Sequence, residues 1–133
     1  MSYLQPELPP IAITRADAEK LSRIAEASAG SFAQAADFLA REIDRAQMID
    51  DTDRRTGLVT MGSRVTFRDD VTGQVRTVKL VYPGEADVAQ GTISVLTPIG
   101  AALIGLSVSQ SIEWETVSGG RRSLTVLAAD AVN

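Results

Sequence analysis

The sequence predicts an α+β protein: a short N-terminal antiparallel helical hairpin, then a small antiparallel β-sheet carrying one short helix. Three observations predict it. Apolar residues recur with a helical period from Thr14 to Met48, the period changes to two after Gly57, and one helix-compatible stretch follows Pro98. The 133 residues suffice for one ordinary core, drawn here as a lead-in (1–13), a hairpin (14–50), a linker (51–58) and a sheet half (59–133).

The lead-in is rich in proline and ends in Ile11-Ala12-Ile13, which reads as extended chain without structure of its own. Thr14 with Asp17 three residues on forms a capping box, and Ala18, Leu21, Ile24, Ala25 and Ser28 follow on one helical face. Gly30 stops that helix. Ser31 and Gln34 cap a second one, whose stripe is Phe32, Ala35, Ala36, Leu39, Ile43 and Ala46, and which is expected to run to about Met48. A connection as short as Ala29, Gly30 and Ser31 folds the two helices back alongside each other. DDTDRRTG, residues 50–57, is a charged linker, because acids just past a helix C-terminus oppose its dipole.

Beyond it, Val65 and Phe67 alternate with Arg64, Thr66 and Arg68; Val78, Leu80 and Tyr82 with Thr77, Lys79 and Val81; Ile112 and Trp114 with Glu113 and Glu115. Asp69 to Gly73 and Ser118-Gly119-Gly120 read as hairpin turns, and a last strand runs from Arg122 to about Ala129. Between them lies the most apolar stretch, ISVLTPIGAALIGLSV, residues 93–108. Ile93 and Val95 belong to a strand, Thr97 caps, Pro98 takes the first helical position, and Ala101 to Ile104 cover a sheet face before Gly105. The corner at Leu96, Thr97 and Pro98 is expected at the surface, where strand-to-helix connections run.

Composition excludes much chemistry. There are no cysteines and no histidines, which removes disulfides, thiolate metal sites and imidazole bases. Seventeen acids against thirteen bases leave a net charge of -4, so strong direct DNA binding is not expected. No apolar run approaches the ~20 residues that span a bilayer, and no signal peptide is recognised, so no membrane association and a cytoplasmic location are expected.

The stretch YPGEADVAQGTISVLTPIGAALIGLSVSQSIEWE, residues 82–115, resembles the C-terminal domain of the Gre-type transcript cleavage factors. REIDRAQM (41–48), VTMGSRVTFRD (59–69) and VRTVKLVYP (75–83) are similar, more narrowly, to the Rnk-type regulators of nucleoside diphosphate kinase, relatives with a shortened hairpin. The resemblance covers about residues 14–130. It implies an FK506-binding-protein-like (FKBP-like) fold for the sheet half and a bacterial RNA polymerase partner, engaged at its secondary channel in competition with Gre-type factors. The docking stretch it implies is Leu96, Thr97, Pro98 and Ile99, with leucine where the Gre factors carry an acidic or amide residue.

Gre factors hold a magnesium ion with two acids at the hairpin tip, because magnesium takes hard oxygen ligands. The tip here, ASAGS, centred on Ala29, Gly30 and Ser31, has none. A helix of about 16 residues is only ~24 Å long. Transcript cleavage should therefore be absent, and any effect on nucleoside diphosphate kinase indirect. Asp50, Asp51 and Asp53 lack the glycine and later glutamate of a calcium loop and read as solvated linker. Glu113 and Glu115 read as the wet face of a strand, Arg121-Arg122 as a soluble edge, and Glu85 and Asp87 of GEAD as anchors of a turn. No catalytic residue, metal or cofactor is expected. The rival reading is an FKBP-like peptidyl-prolyl isomerase or folding helper, which needs an aromatic-lined pocket; Phe67, Tyr82 and Trp114 are expected mainly in the core.

Overall fold

The computed structural model describes residues 8–28, 30, 33–53, 55–116 and 119–130. Helix α1 is Arg15–Ala27 and helix α2 is Ala33–Arg45, packed as an antiparallel pair. Thr14 caps α1 as the sequence predicts, its Oγ1 accepting the Asp17 amide at 3.2 Å. A second cap comes from the linker: Asp51 Oδ1 accepts the Ala16 amide at 2.9 Å. The linker acid Asp51 thus serves the start of α1, while strand residues Gln47–Ile49 separate the linker from the end of α2 at Arg45, against the expectation that its acids directly follow that helix. Ala29, Ser31 and Phe32 lie outside the described residues, as does the Ser31 cap; Gly30 is exposed with φ +66°.

Helix α2 ends at Arg45, short of the expected Met48. The reason is competition for main-chain partners. The Ala46 amide tightens back to the Ile43 carbonyl at 3.3 Å, and the Gln47 amide leaves the helix for the Ile11 carbonyl at 2.9 Å. Gln47–Ile49 then forms strand β2, parallel to strand β1, Ala12–Thr14, in the register Ala12↔Gln47 to Thr14↔Ile49. Parallel strands need a long crossover, and here the helical hairpin is the crossover. The lead-in is therefore extended but paired, and Ile11, Ala12 and Ile13 are all buried.

The main sheet comprises β3 (Arg64–Asp69), β4 (Val75–Val81), β5 (Thr92–Ser94), β6 (Ser111–Glu115) and β7 (Arg121–Asp130), in the order β5-β4-β3-β7-β6. The expectation of a purely antiparallel sheet is corrected at one edge: β5 runs parallel to β4, with Leu80 opposite Ile93. The crossover is residues 82–91 alone, short for a parallel connection. It closes because Glu85 Oε1 accepts the Tyr82 amide at 3.3 Å and Asp87 Oδ1 accepts the Ala89 amide at 3.0 Å, while Thr92 Oγ1 donates to the Asp87 carbonyl at 3.0 Å. The GEAD acids are turn anchors, as the sequence reading has them.

Helix α3, Pro98–Leu103, packs against the sheet. Val65, Phe67, Leu80, Ile112, Leu124 and Val126 from the sheet meet Ala101, Ala102 and Leu103 from α3 and Leu21 and Leu39 from the hairpin in one apolar cluster. The two halves are joined through their backbones too. The Ala12 amide donates to the Gly105 carbonyl at 3.1 Å, and Gly105 in turn donates to Val59 at 3.0 Å. A side chain at Gly105 would have its Cβ 3.1 Å from that of Ile11, at φ +84°, so glycine is what lets β1 come this close.

One buried charge holds the lead-in to α2. Glu42 is 2 % exposed, on the face that packs, and Arg45 takes both its carboxylate oxygens, at 2.7 and 2.8 Å. The remaining guanidinium nitrogen of Arg45 donates to the Pro9 carbonyl.

Candidate functional site

The corner between β5 and α3 is built on a close approach of two backbones. The Thr97 hydroxyl accepts the Gly100 amide at 3.0 Å and donates to the Ser94 carbonyl at 2.7 Å, so one side chain caps the helix and closes the turn. Pro98 occupies the first helical turn and is exposed; Thr97 and Ile99 are partly buried. Leu96 corrects the surface expectation, being only 6 % exposed. The strand ends at Ser94, and the turn that follows abandons alternation, so Val95 and Leu96 both enter the core; the Leu96 amide is held by Ser94 Oγ at 3.0 Å. The exposed ridge is Thr97, Pro98 and Ile99.

Two shallow cavities flank this ridge and share Pro98 and Trp114. One, of about 240 Å³, also includes Ile93, Ile99 and Arg122. The other, of about 340 Å³, lies between α2 and β6 and includes Asp37, Phe38, Arg41 and Glu115. The Trp114 and Phe38 rings meet at 6.0 Å between centroids, tilted by 45°. Sequence periodicity put Trp114 on an inward strand position and Phe38 off the helical stripe, so it gave no sign that the two would share a wall. Of the charges nearby, Arg122 pairs with Asp69 at 3.0 Å and Arg121 with Glu113 at 3.0 Å. The Asp69 carboxyl is held below its usual range by the Thr72 amide first, against the effect of burial, with the Val71 amide and Arg122 adding to it.

The linker acids are engaged locally. Asp50 accepts from its own neighbour Thr52, and Asp53 pairs with Arg55 at 3.2 Å. Among the described residues no three acids gather to hold a metal ion, and no helix is long and apolar enough to cross a membrane. The surface offers shape, aromatic area and charge, which suit binding.

Elsewhere, Asp17 ties α1 to the sheet half, with the Tyr82 hydroxyl donating to Oδ1 and the Met61 amide to Oδ2, both at 3.4 Å. Lys20 lies 5.9 Å from the centre of the Tyr82 ring. Burial first, and then the Asp17 carboxylate, push the Tyr82 hydroxyl up to about 12. A raised folded pKa on an acid means that the stability it supplies is complete below the unfolded value, near 10, and is lost as pH climbs through about 12. The expected result is a wild-type melting temperature that falls more steeply between those values than that of Tyr82→Phe. Parallel curves would show that Asp17 and Tyr82 are not coupled.

Comparison with known proteins follows these halves closely. Residues 54–131 match the family "Transcription elongation factor, GreA/GreB, C-term", and residues 9–49 match "Rnk N-terminus". The Escherichia coli K12 regulator of nucleoside diphosphate kinase is 42 % identical over 119 residues, 90 % of this chain and 88 % of that one. Transcription elongation factor GreA of Syntrophobacter fumaroxidans is 39 % identical over 83 residues, 62 % of this chain but only 53 % of its own. A solved GreA/GreB elongation factor from Nitrosomonas europaea superposes with a TM-score of 0.69 at 33 % identity, covering 91 % of this chain and 98 % of that one. With identity sustained over 90 % of its length and both halves matched in order, the chain belongs to the regulators of nucleoside diphosphate kinase, relatives of the GreA/GreB transcription elongation factors.

Proposed function

We propose that the protein is a non-enzymatic transcription regulator that occupies the Gre-factor site at the secondary channel of bacterial RNA polymerase without stimulating transcript cleavage. It docks through Thr97, Pro98 and Ile99 on an FKBP-like sheet half, and its hairpin enters the channel without reaching the active centre. Its effect on nucleoside diphosphate kinase then runs through transcription. The observation that carries this reading is the hairpin: each helix has 13 residues, about 20 Å at 1.5 Å per residue. The tip sequence ASAGS has no carboxylate, and Glu26 and Asp37, the nearest acids, sit exposed on helix faces. Magnesium would find no ligand pair there. The isomerase alternative gains no support from Phe67, which is core, or from Tyr82, whose hydroxyl is engaged by Asp17; Trp114 departs from the expected core placement and lines an open cleft with Phe38, flanked by Asp37, Arg41 and Glu115 rather than enclosed by apolar side chains.

Retention by core polymerase, lost on addition of a Gre-type factor, is the expected result of a competition pull-down. Absence of retention refutes the reading. In backtracked elongation complexes, saturating protein should leave the rate of transcript cleavage at its intrinsic value and should slow cleavage driven by a Gre factor. Acceleration would contradict it.

Thr97→Ala with Pro98→Ala separates docking from folding. The cap is worth about 1 kcal/mol and the first helical position tolerates most residues, so the double variant should remain folded by circular dichroism. Its affinity for polymerase should fall about tenfold, because central contacts carry much of an interface's energy. A folded double variant that competes at wild-type strength would move the docking surface elsewhere.

A further inference from the structure

We propose that the cleft between α2 and β6 is a receiving slot for a single arginine side chain of the protein partner, stacked on Trp114 and forked to Asp37 and Glu115. The cleft, of about 340 Å³, runs up to the Pro98 ridge, so a partner seated on the ridge lies beside it. Its wall is aromatic. Phe38 braces Trp114 at 6.0 Å and 45°, leaving the partly exposed indole to face the cavity, and indole is the ring that attracts a cation most strongly.

The rim favours the same occupant. Asp37 and Glu115 carry two negative charges, and among the described residues neither has an ion-pair partner. Arg41 is the one cation on that rim among the described residues, and its Nε is turned to the Asp37 main-chain carbonyl at 3.4 Å. The balance is acidic beside an aromatic face. A planar guanidinium satisfies both features at once, lying flat on the indole while its edge donates to carboxylate, which the compact ammonium of lysine does less well. That the arginine belongs to RNA polymerase rests on the docking reading above; the slot itself rests on its own geometry.

The chain has a single tryptophan, so Trp114 emission reports on the slot in the intact protein. The probes are N-acetyl-arginine amide and its neutral isostere N-acetyl-citrulline amide. The arginine derivative should give a saturable change with an affinity at least about threefold tighter than the citrulline derivative, an advantage that salt weakens. In Asp37→Asn with Glu115→Gln, both exposed or near-exposed positions, that advantage should disappear. Equal responses to the two amides, or an advantage that survives the neutralised pair, overturn the slot.

A second arm assigns the partner. Retention by core polymerase should weaken about three- to tenfold in the neutralised pair and in Trp114→Leu, and less in Trp114→Phe, which keeps a ring. If wild-type protein is retained and the neutralised pair is retained equally, the partner does not use the slot and the proposal fails. If wild-type protein is not retained at all, the docking reading fails, and the amide titration alone decides whether an arginine slot exists.

Discussion

Replacing Gly100 by alanine is expected to destabilise the protein by about 3 kcal/mol, although helix propensity taken alone predicts a gain of about 1 kcal/mol. A Cβ at Gly100 would stand 2.1 Å from the Ser94 carbonyl oxygen and 2.9 Å from Val95 Cα. Both are backbone atoms, so no rotamer change relieves the clash. Moving Ser94 aside also pulls its carbonyl from the Thr97 hydroxyl and Val95 from the core, where it is fully buried. The comparison is Pro98→Ala, on the same helix and nearly neutral, in urea titrations monitored by circular dichroism. A Gly100→Ala midpoint equal to wild type would mean that β5 and α3 are free to separate, and that the ridge is not rigidly held.

Arg45→Ala should cost a similar amount, about 3 kcal/mol, because it strands a buried carboxylate. Glu42 is 2 % exposed and has both oxygens on Arg45, and the same guanidinium fixes the Pro9 carbonyl. Arg45→Lys should recover little of this, since an ammonium cannot make two parallel bonds and reach Pro9 as well. Arg45→Leu combined with Glu42→Leu should recover most of it, because removing both charges removes the unpaired one. Urea titrations of the four proteins give the ordering directly. A single Arg45→Ala variant as stable as wild type would show that water reaches Glu42 and that the pair is ornamental.

Most of the element order was legible because long periodic segments declare themselves. The α1 cap, the inward Val65 and Phe67, and the Thr97-Pro98 start of α3 follow from spacing alone. Of the three-residue strands, β5 showed through Ile93, whereas β1 and β2 did not. Gln47–Ile49 is too short to display a period of two, and its partner is decided only when the hairpin returns the chain to Ile11. The direction of β5 was hidden for a related reason: whether residues 82–91 reverse the chain or cross over depends on hydrogen bonds from Glu85, Asp87 and Thr92 that have no signature beyond turn-forming residues.

The candidate site was half legible. Thr97 and Pro98 are marked by type and position, whereas Leu96 was misplaced because a turn broke the alternation one residue earlier than the pattern suggests. Phe38, Arg41 and Trp114 could not be grouped, since they come from opposite ends of the chain and meet through tertiary packing alone. Glu42 falls on the packing stripe between Leu39 and Ile43, and its burial as a charge makes sense only once Arg45 is seen folded over it.

The hydrogen bond from Ala12 to Gly105 joins a residue made on the ribosome before the hairpin to one made after β3, β4 and β5. The hairpin can form early, but β1 has no outer partner until Gly105 emerges, so the nascent hairpin waits with Ile11 and Ile13 uncovered. Together with the shared apolar cluster, that contact leads us to expect the two stretches to unfold together, in a single calorimetric transition.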